Sequence, residues 1–167
     1  MKKVLTLLSA VFMLTNAFAQ KVKVAVDVDM NGSNGSYQLC IGDVHEVNGV
    51  LGIVFTVSKD GRHGKIVSSS QKRFYYWTEA KQWCENLGNN WRLPSLSELQ
   101  TIYRLITNSC QFWEGLNFAE QPFCKDLYWG GDEWSSAEVT TLNMQDGKTW
   151  VSGKKSGYKY VRAVASF

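Results

Sequence analysis

Valine alternates with charged residues at period two over residues 21–30 (KVKVAVDVDM), the pattern of a half-buried strand. The polar run NGSNGS at 31–36 follows as a flexible turn or short linker. Beyond it, apolar runs separated by turn dipeptides predict a β-meander, with strands at about 40–47, 51–58 and 65–69. The connecting dipeptides are Asn48-Gly49 and Asp60-Gly61, residue types that supply the positive backbone angles of tight hairpins.

The period then changes to that of a helix. Ala80, Trp83, Cys84 and Leu87 share one face of a predicted helix at 78–87, with Thr78 placed as its N-cap and Gly88 as its stop. A second helix is predicted at 95–107. It opens on the capping box Ser95-Leu96-Ser97-Glu98 just after Pro94, and Leu96, Leu99, Ile102, Tyr103 and Ile106 line one side. Both stripes read as core. Periodicity fails from 108 to 133, and this aromatic-rich stretch reads as a long irregular loop, a feature that is uncommon in compact domains and often functional. Strands resume at 134–141, at 149–152 after an Asp146-Gly147 turn, and at 158–167. The fold class is therefore α+β: a strand and flexible linker at 20–36, then a single domain at 37–167.

Residues 1–19 have the layout of a secretory signal. Lys2 and Lys3 precede an apolar stretch of about 11 residues, and Ala17-Phe18-Ala19 gives a small-x-small cleavage pattern with Gln20 first in the mature chain. The apolar stretch is well short of the roughly 20 residues that span a bilayer. The expected product is exported, to the periplasm, the cell surface or the medium, with no membrane insertion after cleavage. The 167 residues carry a formal charge of +3, and without Lys2 and Lys3 the remainder holds 16 basic against 15 acidic residues. That balance offers no electrostatic footprint for nucleic acid.

Four cysteines, an even number in an exported chain, point to disulfides, with three connectivities open. Cys110 and Cys124 flank the irregular segment, and a bond between them closes a loop worth about 3 kcal/mol in the chain-entropy model. Cys40–Cys84 is then the leftover pair. No close-spaced cysteine pair or nearby histidine marks a metal centre, and no cofactor is expected. His45 and His63 read as strand or turn residues.

The run WCENLGNNWRLPSLSEL at 83–99 resembles the Lcl C-terminal domain family, found in exported bacterial proteins. Ala80, Cys84, Leu87, Trp91-Arg92-Leu93-Pro94, Ser95 and Glu98-Leu99 match that pattern in order. Trp134-Ser135-Ser136 and Val161-Arg162-Ala163-Val164 echo its later elements, so the resemblance spans about 70–167. It implies a C-type-lectin-like fold, two helices packed on twisted antiparallel sheets with the chain ends together. Alanine at 163 replaces a cysteine common in the family and removes the usual partner of Cys84. The calcium-binding signature of lectins is absent, as are the C-terminal catalytic cysteines of formylglycine-generating enzymes. Neither calcium-dependent sugar binding nor sulfatase modification is expected.

Trp91-Arg92-Leu93-Pro94 reads as structural: a tryptophan buries a large area, and proline fixes the backbone ahead of the Ser95 cap. Arg92, with five donors, is suited to tying loop carbonyls or a carboxylate together. Trp134-Ser135-Ser136 reads as core strand. The expected ligand surface is the aromatic and acidic segment 111–133, with Trp113 and Tyr128 as stacking residues and Asp126, Asp132 and Glu133 as polar contacts. The expected function is a non-enzymatic recognition or adhesion module for a glycan or a surface protein. The alternative is a structural cell-envelope protein without a discrete ligand site.

Overall fold

The computed structural model describes residues 38–109 and 122–167. Gln38–Phe167 form one compact unit. Nine strands and two helices are present among the described residues: β1 (Val44–Val47), β2 (Val50–Val57), β3 (Gly64–Ser68), β4 (Lys72–Phe74), α1 (Trp77–Glu85), α2 (Leu96–Asn108), β5 (Leu127–Glu133), β6 (Glu138–Asn143), β7 (Thr149–Gly153), β8 (Lys159–Val161) and β9 (Val164–Ser166). They make an α+β fold with two mostly antiparallel sheets, ordered β1-β2-β3-β9 and β4-β8-β5-β6-β7. The one parallel pairing joins β5 to β8 at Tyr128 and Tyr160. Among the described residues no helix is long and apolar enough to cross a membrane.

Local chemistry accounts for the hairpins and the second helix. Asn48 and Gly49 have φ of 53° and 79°, the two consecutive positive angles of a tight turn between β1 and β2. The Ser95 hydroxyl accepts from the Glu98 N–H at 3.2 Å, and the Glu98 carboxylate accepts from the Ser95 N–H at 2.8 Å, completing the capping box of α2. The first helix starts one residue earlier than its pattern predicts. Its N-cap is Tyr76, which makes no side-chain cap bond, and Thr78 lies inside the helix.

The core divides around the two helices. Trp77, Ala80 and Cys84 of α1 pack with Trp91, Trp129, Val161 and Ala163. Leu99 and Ile102 of α2 pack with Ile53, Phe55, Tyr128, Leu142 and Val164, so this helix buries its stripe against residues of both sheets. Joining the sheets is the final segment: β8 lies inside one, β9 edges the other, and the buried Arg162 and Ala163 make the step between them.

Three expectations need correction. Residues 127–133 form the central strand β5 and not loop, with Tyr128, Trp129 and Gly130 buried. A strand covered on both faces shows no alternation, and the Gly130-Gly131 pair masks it further. Glycine is required at 130, because a Cβ there would fall 2.7 Å from Thr140 Oγ1, where the β5–β6 register also shifts. Residues 134–136 form a bend and not core strand, and Trp134 is 70% exposed. Cys40 and Cys84 do not pair, since Cys40 is an exposed thiol in a turn and Cys84 is a free thiol sealed in the core under α1. Cys110 lies outside the described residues, and Cys124 carries a free thiol.

Candidate functional site

Phe74-Tyr75-Tyr76-Trp77 is a run of four aromatics at the passage from an edge strand into a helix. Such a passage cannot bury all four. Trp77 enters the core, where its indole N–H donates to the Gly130 carbonyl at 2.8 Å, while Tyr75 and Tyr76 remain 40% and 43% exposed. The antiparallel pairing of β4 with β8 delivers Tyr158, which directly precedes β8 and is 61% exposed. Tyr75 meets Tyr76 edge to face at 5.0 Å between centroids and meets Tyr158 at 5.3 Å.

These rings, with Arg73, Phe74 and Glu79, line a shallow depression of about 360 Å³. The Arg73 guanidinium lies over the Tyr158 ring at 5.6 Å and the Tyr160 ring at 5.4 Å, and it reaches Asp126 at 3.7 Å. Glu79, in the first turn of α1, makes no ion pair or side-chain hydrogen bond among the described residues. The depression thus joins apolar ring faces to one donor-rich cation and one acceptor-only carboxylate. Trp134, after β5, and Trp150 and Val151 of the edge strand β7 are further exposed apolar side chains.

The residues expected to bind ligand have other partners. Tyr128 is fully buried between Phe123 and Tyr160, its hydroxyl donating to Gln71 Oε1 at 2.6 Å and accepting from the Cys124 N–H at 2.9 Å. Burial pushes its phenol pKa up. Sequence made it a stacking candidate because of its polar tip, but in the fold that tip is satisfied internally. Asp126 accepts from the Leu127 N–H at 2.7 Å. Asp132 accepts from the Leu96 N–H at 2.6 Å and so caps α2 from a different element. Glu133 pairs with Lys154 at 2.5 Å, and that hydrogen bond holds its pKa below the usual range. The acids sit at opposite ends of β5 and form no common cluster. Trp113 lies outside the described residues. Among the described residues no group of three or more His, Cys, Asp or Glu side chains could hold a metal ion.

The Trp91–Pro94 motif is part of the scaffold. The Trp91 indole donates to the Val47 carbonyl at 3.2 Å, and Arg92 exchanges backbone hydrogen bonds with Val164. The Arg92 guanidinium forks onto Glu98, with Nη1 at 2.8 Å from Oε2 and Nη2 at 2.7 Å from Oε1, and Lys65 reaches Oε1 at 2.7 Å. Burial alone would raise the Glu98 pKa, but the hydrogen bonds from Arg92, Lys65 and the Ser95 N–H outweigh it and hold the pKa at about 2. Arg162 donates to the Ser68 and Ser69 carbonyls at 2.8 and 3.0 Å beneath the Phe123 ring, and burial brings its pKa down to about 10.

The sequence reading missed Arg73, Tyr75, Tyr76, Glu79 and Tyr158. One signal was available, the four contiguous aromatics at 74–77, too many for one element entrance to bury. No family model matches the chain, and no curated protein matches it.

Proposed function

We propose that the chain is an exported, non-enzymatic recognition or adhesion module that binds a glycan or a surface protein, with the tyrosine depression as a contact face. One observation carries this reading: three exposed tyrosine rings meet edge to face in one depression beside a guanidinium and a carboxylate. Tyrosine faces pack on the C–H-rich faces of sugar rings, while phenols and Glu79 supply the few placed polar groups that orient a ligand. Export is supported by Lys2-Lys3, the apolar stretch and Ala17-Phe18-Ala19, and mature material then begins at Gln20. Mass spectrometry that finds Met1 retained on secreted protein would contradict it.

The C-type-lectin-like fold and membership of the Lcl C-terminal domain family belong to the same proposal. The ordered Trp91-Arg92-Leu93-Pro94 and Glu98-Leu99 elements support them, together with an α+β fold of two helices on two mostly antiparallel sheets. A purely structural envelope role is the second reading. It is favoured by the internal engagement of Tyr128, Asp132 and Glu133. An array of glycans and host proteins probed with the mature chain separates the two. Binding that Tyr158→Ala abolishes supports recognition, and a blank array supports the structural role.

A further inference from the structure

The charges around the tyrosine depression are unequal in what they have left to offer. Arg73 is already engaged: its guanidinium covers the faces of Tyr158 and Tyr160 and lies 3.7 Å from the Asp126 carboxylate. Glu79 lines the same depression, is exposed, and has no ion pair among the described residues. The uncommitted charge at the site is therefore negative. The aromatic rings add to it, because the face of a tyrosine carries the negative part of its quadrupole and attracts cations within about 6 Å of the centroid. Tyr75 meets Tyr76 and Tyr158 edge to face, and all three side chains remain exposed.

From this we infer that the depression takes a ligand bearing a protonated amine on a ring with an apolar C–H face, namely an amino sugar within a glycan. The ammonium pairs with Glu79, and the sugar ring lies on Tyr158 or Tyr76. The inference deepens the recognition reading and rests on it. A free lysine side chain has the charge but lacks the ring body that three flat phenols in a shallow, open depression accommodate. An N-acetylated sugar has the ring body but lacks the charge. The selective element is thus the carboxylate, and the tyrosines contribute to binding of both sugar forms.

The test is calorimetric titration of the mature chain with oligomers of β-1,4-linked glucosamine, with their fully N-acetylated counterparts, and with oligolysine, under mildly acidic conditions that keep the amines charged. Expected is an affinity for the amino form at least tenfold above the acetylated form. Glu79→Gln should erase that preference by weakening the amino form at least tenfold more than the acetylated form, and Tyr158→Ala should weaken both. Equal affinities, a preference that survives Glu79→Gln, or binding confined to oligolysine would overturn the assignment. Recognition itself would still stand if the array above shows binding, so its failure is read separately. Unchanged thermal unfolding of the two variants confirms that a lost signal is lost binding.

Discussion

Glu98 offers the sharpest energetic test of the scaffold. Its carboxylate is almost wholly buried and receives Arg92, Lys65 and the Ser95 N–H, which hold its pKa at about 2 against an ordinary value of 4.5. A group whose pKa is depressed by folding stabilises the folded state above its unfolded pKa, and that contribution is lost as pH falls through the folded value. The window here runs from about 4.5 down to about 2. At 1.36 kcal/mol per pKa unit the displacement corresponds to about 3 kcal/mol, and the partial exposure of Arg92 and Lys65 trims this to about 2 kcal/mol. Glu98→Gln is the informative change, because glutamine can keep the capping box while removing the charge. Urea unfolding of both proteins should show the variant about 2 kcal/mol less stable at neutral pH. That difference should shrink towards zero across the acid window, since both side chains are then neutral. Taking the difference between proteins cancels the other carboxylates that titrate in the same range. A gap that stays constant from neutral pH to below the window would refute the assignment of this stabilisation to the Glu98 charge.

Leu99, buried under both sheets, should cost about 2–5 kcal/mol when changed to alanine, read as a shift in the urea midpoint. Tyr128→Phe should destabilise by about 1–3 kcal/mol, because Gln71 and the Cys124 N–H lose a buried partner, with no loss of ligand affinity. Tyr158→Ala should do the opposite, changing stability by no more than about 0.5 kcal/mol while weakening ligand binding at least tenfold. In native protein, iodoacetamide should label Cys40 promptly and Cys84 only after unfolding, since burial raises the Cys84 pKa and excludes reagent. A non-reducing peptide map linking Cys40 to Cys84 would contradict this.

What the sequence disclosed is local, and what it hid is assembled from afar. Asn48-Gly49 and the Ser95–Glu98 box encode their geometry within four residues, and both form as their residue types require. The strand β5 escaped because its burial on both faces erases the alternation that marks a half-exposed strand. Tyr128 and Tyr158 look alike as letters. One stacks on Tyr160 inside a sheet and the other stands outside the last turn before it, a difference set by strand pairing and not by residue type. The depression unites residues 73–79 with residue 158 through the β4–β8 ladder, and no window along the chain contains that neighbourhood.

The step from β8 to β9 through Arg162 and Ala163 has a kinetic consequence. The ladder of β3 with β9 pairs residues such as Lys65 and Ser166, and that of β4 with β8 pairs Lys72 with Val161, so both sheets are completed by strands far downstream of their partners. Contacts this distant in sequence slow folding, because loop closure precedes the gain from pairing. Neither sheet can close while residues 159–166 are still within the ribosome. The ladders β1-β2-β3 and β5-β6-β7 pair neighbours in sequence and can form first, so the segment through Arg162 and Ala163 joins two part-built sheets in one late step.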